Sequence, residues 1–65
     1  MTPLFTIELD SAEWVRVMRT RLGLTQAQLA ARLGVERRTI SHYEVGISKV
    51  SQARVADILR LAEMS

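Results

Sequence analysis

The sequence predicts an all-α fold, a compact bundle of four helices preceded by a short N-terminal extended arm. Three observations carry this prediction. Apolar residues recur at helical spacing from residue 14 onward. Capping residues and glycines alternate along the chain and divide it into four segments. The length of 65 residues allows one domain at most. We assign residues 1–9 to the arm and residues 10–65 to the helical domain.

The arm has the period of a β-strand. Phe5, Ile7 and Leu9 alternate with polar residues, and Pro3 is suited to the start of an edge strand. A single strand leaves its backbone groups unpaired, so the arm needs a partner. Two interpretations remain open: the arm packs on the helices of its own chain, or it pairs with the same strand of a second copy across a two-fold axis.

The first two helices begin at capping residues, and each ends at a glycine. Asp10 with Glu13, and Thr25 with Gln28, have the spacing of capping boxes. The apolar residues at helical spacing in these two segments are Trp14, Val17, Met18, Leu22, Leu29, Ala30 and Leu33. We expect these residues to form the inner faces of the two helices.

The third helix is expected over residues 36–44, ending at Gly46, with Ile40 and Tyr43 facing inward. Ser51 is the expected cap of the fourth helix. The apolar residues of that helix form two stripes, one of Val55, Ile58, Leu59 and Ala62 and one, partly turned away from the core, of Ile58, Leu61 and Met64. The second stripe suggests a surface that covers a partner.

The net charge of +2 is unevenly distributed along the chain. It is −3 over residues 1–15, +6 over residues 16–54 and −1 over residues 55–65. A basic centre between acidic ends indicates a localised anionic partner, of which nucleic acid is the usual one.

Several functional classes have no support in the residues. The absence of cysteine excludes a disulfide and a cysteine-based zinc site, and one histidine, His42, cannot hold a metal alone. There is no carboxylate pair suited to acid–base catalysis and no glycine-rich phosphate loop. No apolar run approaches the roughly 18 residues of a membrane span. We therefore expect a cytoplasmic protein without catalytic activity, cofactor, metal or membrane contact.

Residues 25–46 form two short helices joined by a tight turn, Leu33-Gly34-Val35. Gly34 permits a positive φ at the turn. Ala30 is small, as required where the next helix crosses closely. A turn of this kind fixes the crossing angle of the two helices and presents the second one to a partner.

These motifs resemble those of the phage repressor/Cro-like (Xre-type) helix-turn-helix family. The resemblance is carried by Leu-Gly-Leu-Thr-Gln-Ala-Gln-Leu-Ala at 22–30, Leu-Gly-Val at 33–35, Ile-Ser-His-Tyr-Glu at 40–44, and Gly46, and it covers about residues 12–63. It implies a lambda-repressor-like DNA-binding domain that places its third helix in the major groove of double-stranded DNA.

The resemblance also implies roles for individual residues. Gln26 matches a residue that contacts DNA phosphate and supports the recognition helix, and Lys49 lies in the loop where the family often contacts phosphate. Arg19 and Glu44 match a partly buried ion pair. The residues that match the base-reading face are Arg37, Arg38 and His42.

Helical geometry agrees with this assignment. Arg38 and His42 are four residues apart and share a face, and arginine donates paired hydrogen bonds to guanine. The hydroxyls of Thr39 and Ser41 are further candidates for phosphate contacts. Two positions depart from the family pattern: Glu36 stands where the family usually has Ser or Thr as helix cap, and Val50 where it often has proline.

The predicted function is a sequence-specific transcriptional regulator, a repressor that binds a palindromic operator as a homodimer. The candidate dimer contacts are the arm, through Phe5, Ile7 and Leu9, and the fourth helix, through Leu61. The alternative is an antitoxin that binds a toxin protein and regulates its own operon.

Overall fold

A computed structural model describes residues 11–64, which form four α-helices. The helices are α1 (Ser11–Leu22), α2 (Gln26–Leu33), α3 (Arg37–Val45) and α4 (Gln52–Met64). The all-α prediction is confirmed over this range, and α3 lies one residue further along the chain than predicted. The proposed arm, 1–9, and the proposed cap Asp10 lie outside the described residues.

The helix boundaries follow from local hydrogen bonding. Thr25 Oγ1 accepts from the Gln28 backbone N–H at 3.1 Å, and Gln28 Oε1 accepts from the Thr25 N–H at 2.8 Å. The predicted capping box is therefore present, and two N–H groups at the start of α2 are satisfied. Ser51 Oγ accepts from the Arg54 N–H at 3.1 Å, which confirms the predicted cap of α4.

The core takes residues from all four helices. Its buried members are Val15, Leu29, Ala30, Ile40, Tyr43 and Ile58. Trp14, Met18, Leu33 and Leu61 are among the partly buried residues that pack against them. The inward assignment of Leu29, Ala30, Ile40 and Tyr43 is confirmed.

The expected inner face of α1 requires a correction. Val15 is fully buried, whereas Val17, which we assigned to that face, is 38% exposed. The inner face runs through Val15, Met18 and Arg19, which lie three and four residues apart. The predicted face was right at Trp14 and Met18, which pack against the core, and wrong in including Val17 and omitting Val15.

The two stripes of α4 also need correcting. Ile58 is fully buried, so it does not turn away from the core. Leu59, expected on the inner face, is 44% exposed, and Met64 is 75% exposed. Only the C-terminal part of the second stripe therefore faces outward.

Helix α3 packs against both α1 and α2, which fixes its position in the domain. At the turn between α2 and α3, Gly34 has a φ of +75°, and the Val35 N–H donates to the Ala30 carbonyl at 3.0 Å. This arrangement satisfies carbonyl groups at the end of α2 and sets the direction in which α3 leaves the turn. None of the helices between residues 11 and 64 is long and apolar enough to cross a membrane.

Candidate nucleic-acid interface

The outward side of α3 is polar and basic, and it lies opposite the core residues Ile40 and Tyr43. Arg37 and Arg38 are exposed and occupy the first two positions of the helix. Thr39, Ser41 and His42 are half-buried. The helix therefore presents two guanidinium groups at its N-terminal end, with smaller hydrogen-bonding groups behind them.

An ion pair ties α3 to α1. Arg19 Nε lies 2.6 Å from Glu44 Oε2, and Arg19 Nη2 donates to Glu44 Oε1 at 3.1 Å. The side chain of Glu44 is 6% exposed and that of Arg19 is 21% exposed. Arg19 Nη1 also donates to the Leu24 carbonyl at 3.0 Å. The guanidinium thus joins α1, the α1–α2 loop and α3.

The ion pair shifts the titration of both partners. Burial raises the pKa of the Glu44 carboxyl, but hydrogen bonds from Arg19 and Gln26 outweigh it, so this pKa lies below its ordinary value. The hydrogen bond to Glu44 raises the pKa of Arg19. Both groups are therefore charged at neutral pH, and α3 carries a fixed negative charge on its inner side.

The side chain of Gln26 connects this ion pair to the outward face of α3. Gln26 Nε2 donates to Glu44 Oε1 at 3.1 Å, and Gln26 Oε1 accepts from Arg37 Nη1 at 3.3 Å. The amide therefore bridges a buried carboxylate and an exposed guanidinium. The family resemblance implied that Gln26 supports the recognition helix, and the structure identifies Glu44 and Arg37 as the side chains that it contacts.

The remaining predicted residues are placed as follows. Lys49 is exposed in the loop between α3 and α4. Glu36 is the N-cap residue of α3, is exposed and makes no side-chain capping hydrogen bond. Val50 packs against the core. The arm contacts Phe5, Ile7 and Leu9 lie outside the described residues.

Leu61, the proposed contact of α4, is half-buried and packs against the core. It also lines an open groove of about 240 Å³ between α2 and α4. The other residues of the groove are Arg32, Leu33, Asp57, Arg60 and Met64. This groove lies beside the outward part of α4.

Sequence reasoning missed two features near the interface. Arg54 Nη1 donates to the Leu33 carbonyl at 3.4 Å and to Asp57 Oδ2 at 3.2 Å, so α4 supports the end of α2. The spacing of Arg54 and Asp57, three residues apart on one helix, was the available signal. Val45 and Ile47, on either side of Gly46, are 65% and 71% exposed.

Residues 15–63 match a family model described as helix-turn-helix. The chain belongs to the Cro/C1-type, Xre-like helix-turn-helix family. The resemblance predicted from the motifs is thereby confirmed, and the match covers most of the chain. No curated protein and no solved structure matches the chain significantly.

Members of the Cro/C1-type helix-turn-helix family are DNA-binding regulators, so the family identifies this chain as a DNA-binding transcriptional regulator. Residues 11–64 contain no group of three or more side chains that could hold a metal ion. The chemistry available at the outward face of α3 is hydrogen bonding and charge, which are the means by which proteins recognise DNA.

Proposed function

We propose that the protein is a sequence-specific repressor that binds a palindromic operator as a homodimer, with α3 in the major groove. One observation carries the proposal. Arg37 and Arg38 are exposed at the N-terminal end of α3, while the inner side of the same helix is held by the core and by the buried Glu44. A helix fixed in this way presents its first turn to a groove of DNA.

In this proposal the interface residues divide into two classes. Arg37, Arg38 and His42 contact base edges, since arginine pairs with guanine O6 and N7 in the major groove. The phosphate contacts are made by Gln26, Thr39, Ser41 and Lys49. Phosphate contacts position the protein, and base contacts select the sequence.

The homodimer is proposed because one recognition helix reads only a few base pairs, and two-fold doubling lengthens the site. Two surfaces are candidates for the contact between copies. One is the arm, through Phe5, Ile7 and Leu9. The other is α4, where the half-buried Leu61 adjoins the exposed Met64.

The second candidate function is that of an antitoxin that also binds DNA. It is favoured by the apolar side chains left exposed on the helices and loops of residues 11–64, among them Val45, Ile47, Leu59 and Met64. Covering such apolar surface with a protein partner removes it from water, which favours association with that partner. Stable co-purification with the product of the adjacent gene, lost in an M64D variant, is the expected result for this function.

The repressor proposal is tested by fluorescence anisotropy with duplexes selected from a random library. The wild-type chain is expected to bind a selected duplex at least about 10³-fold more tightly than a scrambled one. The double variant R37A/R38A should lose this preference. The variant R21A, which removes one charge from an exposed position at the end of α1, should keep it. Equal affinity of the wild-type chain for all duplexes would overturn the proposal.

A further inference from the structure

The open groove between α2 and α4 has an apolar floor. Its volume is about 240 Å³, and its apolar residues are Leu33, Leu61 and Met64. Leu33 and Leu61 are half-buried, whereas Met64 is 75% exposed. The groove is smaller than the roughly 300–1,000 Å³ of pockets that enclose small molecules. It is therefore better suited to apolar side chains of a protein segment than to a small ligand.

The rim of the groove is basic. Arg32, Asp57 and Arg60 line it. Both oxygens of the Asp57 carboxylate are occupied, because Oδ1 accepts from Arg60 Nη1 at 3.3 Å and Oδ2 accepts from Arg54 Nη1 at 3.2 Å. Arg32 is exposed and makes no ion pair with any of residues 11–64. The rim thus retains a positive charge that an acidic partner would neutralise.

We propose that this groove binds the arm, residues 1–9, of a second copy of the chain, and that the two copies of the dimer exchange their arms. The inference rests on the proposed homodimer and deepens it, because the arm and α4 become two halves of one contact. The arm lies outside the described residues, and it is its sequence and its length that match the groove.

The sequence of the arm is complementary to the groove. Phe5, Ile7 and Leu9 recur at every second residue, so they share one side of an extended chain. Glu8, on the opposite side, is the only charged side chain of residues 1–9. With the apolar side chains on the floor, Glu8 faces the rim, where Arg32 carries the unpaired charge. Because the groove is open, the backbone of the arm keeps hydrogen bonds to water.

The arm is long enough for a stable contact. A nine-residue extended segment of this composition exposes about 1,500 Å². If a third of this surface is buried and each groove loses an equal area, the two symmetric contacts together remove about 2,000 Å² from water. Stable protein interfaces bury roughly 1,200–2,000 Å². The exchanged arms therefore supply the area that a dimer needs.

Two features favour the arm of a second copy over the chain's own arm. Among residues 11–64, only members of α2 and α4 line the groove, whereas the arm continues into α1, which starts at Ser11. An exchange of arms is also a closed two-fold arrangement, in which the same contact is made twice and both grooves are filled. The chain's own arm in the groove would leave the proposed dimer without either of its candidate surfaces.

The test reverses one charge on each side of the contact in the full chain. E8R and R32E should each raise the dimer dissociation constant on the order of tenfold in sedimentation equilibrium at low salt, since both symmetric contacts change from attraction to repulsion. An equal mixture of E8R and R32E should regain the wild-type constant, because the mixed dimer pairs a carboxylate with a guanidinium at both contacts. R21E reverses a charge at an exposed position of α1 outside the groove, and this matched control should behave as the wild type.

The apolar floor is tested separately. M64D places a carboxylate where the arm would bring apolar side chains, so it should also weaken the dimer. I47D makes the same kind of change at a position that is 71% exposed and does not line the groove, and it should leave the dimer unchanged. Circular dichroism checks that each variant keeps its helices.

The remaining outcomes separate the inference from the proposed function. A mixture of E8R and R32E that dimerises no more tightly than either variant alone would overturn the inference. A dimer weakened by E8R but not by R32E or M64D would overturn it in favour of arms that pair with each other as strands. Either result leaves the proposed function intact if the wild type is a dimer that binds its operator selectively. A wild-type chain that stays monomeric both free and on the operator would overturn the proposed homodimer itself.

Discussion

Glu44 is the residue at which the first three helices are joined. It belongs to α3, accepts hydrogen bonds from Arg19 of α1 and Gln26 of α2, and is 6% exposed. A buried carboxylate that lost these partners would be strongly destabilising. The motif indicated the Arg19 contact, because both residues fit a known pattern. It implied that Gln26 supports the recognition helix but did not identify Glu44 as the acceptor, since the direction of a long side chain depends on which acceptors the fold brings near it.

The hydrogen bonds to Glu44 predict a dependence of stability on pH. They lower its pKa below the ordinary value of 4.5 despite the opposing effect of burial. A carboxyl with a lowered pKa in the folded state contributes stability above its unfolded pKa, and this contribution is lost as the pH falls through the folded pKa. The free energy of unfolding from urea titrations should therefore fall below about pH 4.5, and E44Q should reduce this fall.

The exposed Glu63 provides the control for the pH experiment. E63Q removes the same charge from the end of α4 and should leave the pH dependence close to that of the wild type. Parallel curves for E44Q and the wild type would show that Glu44 is not the group whose protonation destabilises the fold in acid.

The two contact classes of the interface predict different responses to salt. R38A should cost about 1–3 kcal/mol on the selected operator and relax specificity at one position. K49A should weaken binding to all duplexes and reduce the slope of log K against log salt by about one unit. Anisotropy titrations at several salt concentrations measure both quantities. The reverse pattern would mean that Lys49 reads a base and Arg38 contacts phosphate.

At the scale of the elements, the helix ends were more predictable than the helix faces. Capping residues and glycines act locally, so Thr25, Ser51 and the turn at Gly34 could be located from sequence alone. The faces depend on tertiary partners. Arg19 lies on the inner face of α1 because Glu44 is there to receive it, and a pattern of apolar residues cannot represent such a pair.

The start of α3 is incompletely capped, and this predicts that the helix can be stabilised. Glu36 is the N-cap residue but makes no side-chain hydrogen bond to the first turn. E36S should supply this bond and raise the free energy of unfolding by about 0.5–1 kcal/mol. The reciprocal variant S51A removes the observed cap of α4 and should lower it by about 1 kcal/mol. Thermal unfolding followed by circular dichroism measures both changes.

The DNA response of E36S separates capping from repulsion. Glu36 directly precedes Arg37 and Arg38 in the sequence, and its carboxylate carries a charge of the same sign as phosphate. Its removal should therefore strengthen binding to scrambled duplexes as well as to the operator. A selective loss of operator binding would instead indicate that the carboxylate accepts a hydrogen bond from a base, such as the amino group of cytosine.

At the scale of the whole molecule, the charge divides the chain into a basic centre and two acidic ends. The stretch with a net charge of +6, residues 16–54, includes α2, α3 and the loop that carries Lys49. The acidic ends lie on either side of it in the sequence, and the apolar residues left exposed include Leu59 and Met64 of α4. This distribution supports the proposal that the centre of the chain contacts DNA and that its two ends contact a second copy.

The last prediction concerns which end makes that contact. If the arm pairs across a two-fold axis, deletion of residues 1–9 should shift the chain toward monomer in sedimentation velocity experiments, because it removes the strands that would join the two copies. If α4 makes the contact, M64D should have that effect, since Met64 is 75% exposed and its substitution should not disturb the core. Thermal unfolding of each variant checks that the fold is retained. A dimer that survives the deletion but not M64D would place the two-fold axis at α4, and the spacing of the operator half-sites would then follow from the distance between α3 and that helix.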